Sequence, residues 1–207
     1  MTLQTIQLAC TRGERALFDA LDLEVCRGDA LRVAGNNGAG KTSLLRILCG
    51  LASASRGTVC WDGVNISHMR EEYNRQLTYL GHLSGIKDDL TACENVLLSA
   101  RLSGNRIDRK AASLALENIG LGAQVNLASR VLSQGQKKRV ALARLPFCSA
   151  TPLWILDEPL VALDHEAVLL VTQTMNQHLA NAGMLVYTTH QEVGLAAQRN
   201  LTINLSC

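Results

Sequence analysis

Gly35-Asn36-Asn37-Gly38-Ala39-Gly40-Lys41-Thr42 is the stretch that decides how this chain is read. It fits GxxxxGK[ST], in which glycines let the backbone wrap closely enough for its N–H groups to point at phosphate oxygens. Lys41 is placed to neutralise the β and γ phosphates of a nucleotide. Thr42 is placed to hold Mg2+ through its hydroxyl, with Ser43 in the same turn. The positive end of a helix opening here favours the anion. An ordinary tight turn is the competing reading, and the flanking pattern argues against it.

Working outward, the first thirty-four residues alternate as strands do, at Ile6, Leu8 and Cys10 and again at Leu21, Leu23 and Val25. Arg27-Gly28-Asp29 reads as a turn before a strand over 30–34. After the glycine loop, Leu44, Leu45, Ile47, Leu48 and Leu51 recur at helical spacing, and Gly50 reads as the helix end. The loop therefore joins a strand to a helix. Further strands are expected over 58–61, closed by Asp62-Gly63, and over 76–80. From about 87 to 145 the pattern is helical: Thr91 with Glu94 forms a capping box, Asp108 opens a helix ending near Gly120, and Ser133 opens a third. Residues 153–156 and 184–188 read as buried parallel strands separated by a helix over about 165–180.

The strand at 153–156 runs into Asp157 and Glu158, which places two carboxylates at the carboxyl edge of a parallel sheet, where such folds bind ligands. Asp157 suits a hold on Mg2+, and Glu158 suits polarising an attacking water. Alone, a strand ending in acids is often a solvated turn; beside the loop at Lys41 the pairing is specific. Ser133 and Gly135, in Leu132-Ser133-Gln134-Gly135-Gln136, offer a hydroxyl and bare backbone at a helix start. A plain serine cap is the competing reading there. His190 follows the strand at 184–188 and should emerge at the same sheet edge.

Composition bounds the rest. A chain of 207 residues, 47% hydrophobic, buries one good core and is read as a single domain over 1–207, with a helical sub-lobe over about 87–145. Twenty Lys and Arg against eighteen Asp and Glu leave a formal charge of +2, with no basic tract to suit nucleic acid. The seven cysteines (Cys10, Cys26, Cys49, Cys60, Cys93, Cys148, Cys207) occur singly, as reduced thiols packed like small hydrophobes do. No apolar run approaches the roughly eighteen residues that span a bilayer. Any path across a membrane would belong to another subunit.

Taken in order, residues 35–42, 132–136, 153–158, the Ala162-Leu163-Asp164 turn and His190 resemble the motif set of ATP-binding cassette ATPases along essentially the whole chain. The resemblance implies an α/β phosphate-loop NTPase of that type, with a mixed sheet core, an N-terminal antiparallel β part and a helical signature sub-lobe. It implies Glu158 as catalytic base, His190 at the γ-phosphate and Asp164 linking sites across a dimer. It also implies that Ser133, Gly135 and Gln136 cap the nucleotide of a second copy, since each motif occurs once. Two positions depart from the pattern. Alignment on Gly13 and Leu17 puts Arg12 where an aromatic residue usually stacks on adenine, and His82 stands where the family usually carries a glutamine.

Gly81-His82, Gly85, Lys87, Leu90-Thr91 and Glu94-Asn95 are similar to one branch of that family, the haem-exporter ATPases of cytochrome c maturation. That likeness implies ATP and Mg2+ as ligands, integral haem-handling membrane subunits as partners and the cytoplasmic face of a bacterial inner membrane as location. An exporter subunit for a lipid or another small molecule is the second reading. A soluble mechanical ATPase is the third, disfavoured because the chain has neither a long coiled-coil insert nor tandem cassettes.

Overall fold

The computed structural model describes residues 1–81 and 85–205. Strands β1 (Thr2–Arg12) and β2 (Arg15–Cys26) form a hairpin, and β4 (Arg56–Trp61) pairs with the other side of β1. A short β5 (Val64–Asn65) follows the Asp62-Gly63 turn, giving an antiparallel sheet in the order β2-β1-β4-β5. The expected alternation in β1 fails at Ile6, which is 54% exposed. The cause is a bulge: Gln7 has φ 48, and the register shifts between Thr5 and Leu8. One extra residue turns every later side chain to the other face. Gly57 lies against this bulge at φ +80, and a Cβ there would land on the carbonyl oxygen of Gln7.

The second sheet is wholly parallel, in the order β6-β7-β8-β3-β9, from β3 (Ala30–Ala34), β6 (Leu77–Leu80), β7 (Leu153–Leu156), β8 (Met184–Thr188) and β9 (Asn200–Asn204). The antiparallel and parallel parts of the expected mixed core are thus two sheets sharing one interior. Leu153 and Ile155 of β7 join Leu3, Leu8 and Val25 of the first sheet and Leu44, Leu45 and Leu48 of helix α1 (Lys41–Leu48) in one cluster. Trp154 and Leu156 face a second cluster with the remaining helices. The period of two along one strand therefore supplies both cores. Helix α1 stops before Leu51. Gly50 takes φ +69, the Leu51 N–H bonds to Arg46 O, and the Leu51 side chain is 55% exposed.

After a short α2 (Arg70–Asn74), the helical sub-lobe comprises α3 (Ala92–Leu102), α4 (Arg109–Asn118) and α5 (Gln134–Leu142). Its starts fall where the sequence places them: Thr91 and Glu94 form a reciprocal capping box, and Asp108 accepts from the Ala111 N–H. Asn95, 5% exposed, staples the loop before α3 by donating to carbonyls of Lys87, Leu90 and Thr91 and to Ser129 Oγ, while accepting from the Lys87 N–H. Arg144, beyond α5, donates to Tyr79 O at 2.6 Å and Ser99 Oγ at 3.0 Å, tying sub-lobe to sheet. Helix α6 (His165–Ala180) then returns along the parallel sheet. Of the described cysteines, Cys10, Cys49, Cys60, Cys93 and Cys148 are buried, Cys26 is half-buried, and none forms a disulfide. No described helix is long and apolar enough to cross a membrane.

Candidate nucleotide site

Strand β3 delivers the chain to the carboxyl edge of the parallel sheet, and the loop wraps back into α1. Gly40, the residue before the helix, has φ +99, and a Cβ there would sit 3.0 Å from Leu17 Cβ; both facts call for glycine. The Lys41 side chain, 8% exposed, folds back so that Nζ donates to the carbonyls of Gly35 at 2.7 Å and Asn36 at 3.2 Å. Above the loop lies an open pocket of about 430 Å³. Asn36, Asn37, Gly38, Gly40, Lys41, Thr42 and Ser43 form its floor, Arg12, Arg15 and Leu17 of the β1–β2 hairpin one wall, and Glu158 another. Arg12 and Arg15 stand opposite each other in the hairpin, and both line the same pocket as Lys41.

The end of β7 supplies the acids. Asp157 is 2% exposed; Oδ2 accepts from Thr42 Oγ1 and Oδ1 from Thr188 Oγ1, both at 2.8 Å. Glu158 follows at φ 48, a left-handed conformation costing a non-glycine residue about 1 kcal/mol and held only by its surroundings. Its N–H donates to Thr188 Oγ1 at 2.7 Å, and its Oε1 lies 3.4 Å from His190 Nε2. Lys138 of α5, 8% exposed, donates from Nζ to the Asp157 carbonyl at 3.1 Å. Burial pushes its ammonium pKa down, and the charges of Asp157 and Glu158 oppose that shift.

The signature residues form a separate group. Ser133 caps α5 by accepting from the Gln136 N–H, and Gln136 Oε1 accepts in return from the Ser133 N–H. The bare Cα of Gly135 faces Ala162 O, which a Cβ would approach to 3.3 Å. Asp164 caps α6 and pairs with Arg139 at 2.7 Å. The Ala167 N–H first, and then Arg139, hold its carboxyl below the usual carboxylate range.

One chain therefore brings together Lys41, Thr42, Asp157, Glu158 and His190, with Arg12 at the pocket wall. Ser133, Gly135, Gln136 and Asp164 do not line that pocket. His82 lies outside the described residues. Arg15, Lys138 and Thr188 are parts of this neighbourhood that the sequence reading did not assign. Lys138 had a signal, because it shares a helical face with the buried Ala141 and Leu142, but Lys137-Lys138-Arg139 also reads as a solvated basic run.

The ABC transporter family profile matches residues 18–161. The cytochrome c biogenesis ATP-binding export protein CcmA of Nitrosospira multiformis is 51% identical over 195 residues, covering 94% of this chain and 94% of that protein. The protein of the same name from Nitrosomonas europaea is 52% identical over 186 residues, covering 90% and 87%. Among solved structures, a putative ABC transporter ATP-binding protein from Pyrococcus furiosus superposes with a TM-score of 0.82 at 21% identity, covering 99% of this chain and 98% of that one. A dimeric post-hydrolysis state of the ATP-binding cassette MJ0796, bound to ADP and Pi, superposes at 0.78 and 23%, covering 91% and 88%. The phosphate loop, the acids at the end of β7 and the helical sub-lobe thus stand in a chain that belongs to the ABC transporter family, among the cytochrome c biogenesis ATP-binding export proteins.

Proposed function

We propose that this chain is the ATP-hydrolysing subunit of a transporter for cytochrome c biogenesis, one nucleotide-binding domain over residues 1–207 with its helical sub-lobe at about 87–145. ATP binding and hydrolysis would drive haem export or release of a haem-loaded carrier. The observation that carries the reading is the meeting of Thr42, Asp157 and Glu158 at the start of α1, beside a cationic pocket.

In that pocket the N–H groups of 35–43 and the start of α1 take the phosphates, and Lys41 exchanges the carbonyls of Gly35 and Asn36 for β and γ oxygens. Thr42 and Asp157 would hold Mg2+, since two hard oxygen donors from different elements already converge there. That ion, when bound, neutralises charge on the phosphates. Glu158 is the general base that takes the water proton, and His190, 3.4 Å from it, contacts the γ-phosphate. Arg12 stacks on the base through its guanidinium, with Arg15 opposite. His82 occupies the glutamine position of the family's loop toward the membrane subunit.

Ser133, Gly135 and Gln136 cap the nucleotide of a second copy, and Asp164 joins the two sites. The working form is then a two-fold homodimer, which agrees with the placement of these residues away from their own pocket. Its partners are integral haem-handling subunits, with no nucleic acid, and its place is the cytoplasmic face of the bacterial inner membrane. The names of relatives at 51% and 52% identity, cytochrome c biogenesis ATP-binding export proteins, support the export role on which these partners and this place depend.

Glu158→Gln is the test. Turnover should fall by about a hundredfold or more while fluorescent ATP binding is kept. Turnover at the wild-type rate would remove the base. Mass spectrometry of membranes solubilised with the tagged variant should recover haem-handling subunits; an unrelated permease would leave the ATPase and overturn the haem role.

A further inference from the structure

The peptide unit between Asp157 and Glu158 is held at both ends by side chains from different elements. Its carbonyl oxygen accepts from Lys138 Nζ at 3.1 Å, and its N–H donates to Thr188 Oγ1 at 2.7 Å. Lys138 is 8% exposed and Thr188 fully buried, so neither contact is a surface accident. The same peptide leads into Glu158 at φ 48, which needs its neighbours to hold it. Loss of either contact would release the φ of Glu158, and with it the direction of a side chain that lines the pocket.

We propose that Lys138 is a positioning residue: with Thr188 it clamps the Asp157–Glu158 peptide and so aims the Glu158 carboxylate at the water beside the γ-phosphate. The assignment rests on Glu158 being the base. Helix α5, which carries Lys138, starts at Ser133. The element whose N-terminus meets the second copy's nucleotide therefore also grips the peptide that aims its own base. Thr188 serves twice, since its hydroxyl accepts from Glu158 and donates to Asp157 Oδ1. Substitution there disturbs the metal-binding acid as well, which makes Lys138 the cleaner probe.

The experiment measures steady-state ATPase rates of the full chain at saturating Mg2+, with fluorescent ATP titrations and thermal unfolding alongside. Lys138→Met keeps an unbranched chain one atom shorter and removes the charged donor. It should lower kcat about ten- to hundredfold, the scale of a misaimed catalytic group, while KM and nucleotide affinity stay within about twofold. Lys138→Arg, which restores a donor, should recover at least about a third of the wild-type kcat. Wild-type kcat in Lys138→Met, a change confined to KM, or an Arg variant no better than Met would each overturn the clamp. If Lys138→Met fails to fold, Lys138→Gln, which carries an amide donor, and Lys138→Leu, which carries none, repeat the comparison at the same position. The glutamine variant should retain a higher kcat than the leucine variant, and equal rates would overturn the proposal. Glu158→Gln measured in parallel separates the two ideas. Wild-type turnover in that variant removes the base itself, whereas a dead Glu158→Gln with an unaffected Lys138→Met removes only the clamp.

Discussion

The end of β7 and the start of α5 are both polar ends of buried elements, and they satisfy their polar groups in opposite ways. At β7, Asp157 is closed off by Thr42 and Thr188, which lie 115 and 31 residues away in sequence. At α5, the side chains of Ser133 and Gln136 each accept from the other's backbone N–H, three residues apart, on an exposed helix start. Long-range bonds of the first kind exist only in the folded chain, and on the proposed function they make a preformed half-site for the nucleotide. The capping box of the second kind needs no tertiary contact. It leaves the hydroxyl of Ser133 and the backbone of Gly135 to be used by something arriving from outside. On the proposed function, the chain thus carries one finished half of a nucleotide site and one unfinished half.

Ser133→Arg is the largest expected way to break this comparison. Turnover should drop by about a hundredfold, the scale seen when a group acting on the transition state is lost, while ATP affinity of the pocket changes by no more than about threefold. Lys41→Met should do the reverse and weaken binding directly. Mixing the two variants sharpens the point, because a heterodimer holds one site with an intact Lys41 facing an intact Ser133. Recovery of turnover on mixing, absent from either variant alone, is the expected outcome. Loss of nucleotide binding in Ser133→Arg alone would mean that the signature turn belongs to its own pocket.

The same division decides what was legible in the sequence. The phosphate loop, the capping box at Thr91, the helix start at Ser133 and the helix over about 165–180 are local, and each reads directly from residues close together in the sequence. The buried strands β7 and β8 read from their unbroken apolar runs. What escaped depends on distant partners. Ile6 points outward because the bulge at Gln7 rests on Gly57, fifty residues later. Strand β9 alternates Leu201 and Ile203 with polar residues, but only its pairing with β3 marks it as a strand. Lys138 and Thr188 show their use only when α5, β7 and β8 meet. His178 is buried because its ring stacks on Trp154 at 4.0 Å. Burial pushes its pKa down to about 4, and no spacing rule foretells that.

A second test compares long-range with local bonding through stability. Asp29 is 1% exposed and ties the β2–β3 turn to the approach to β9, accepting from the Cys26 N–H and from Arg199 Nε and Nη2. Burial alone would raise its carboxyl, but the Arg199 side-chain bonds, the Cys26 N–H and the Arg199 charge together hold it below the usual range. Asp29→Ala should cost about 2 kcal/mol in urea unfolding at pH 7, since the charge-assisted bonds from the half-exposed Arg199 and the bond from the Cys26 N–H lose their buried acceptor. A depressed carboxyl stabilises the fold above its unfolded pKa of about 3.9, and that contribution is lost as pH falls through the folded value. The gap between wild type and variant should therefore shrink as unfolding is repeated from pH 5 toward pH 3. A gap that stays constant would mean that the charge of Asp29 contributes nothing.

The smallest expected effect comes from a local cap with a long-range neighbour. Thr91→Ala removes the hydroxyl that accepts from the Glu94 N–H and donates to the Glu94 carboxylate; the Thr91 N–H first, and that hydroxyl second, hold the carboxyl below its usual range. Loss of such a cap costs about 1 kcal/mol. The loop before α3 should survive, because Asn95 still bonds the backbone of residues 87, 90 and 91 and Ser129 Oγ. Urea unfolding should thus register the loss of the cap while ATP turnover stays within about twofold of wild type, local caps being outside the reacting centre. A larger loss of turnover than of stability would place the start of α3 in the path between nucleotide and membrane subunit, and the division between finished and unfinished halves would then need a third member.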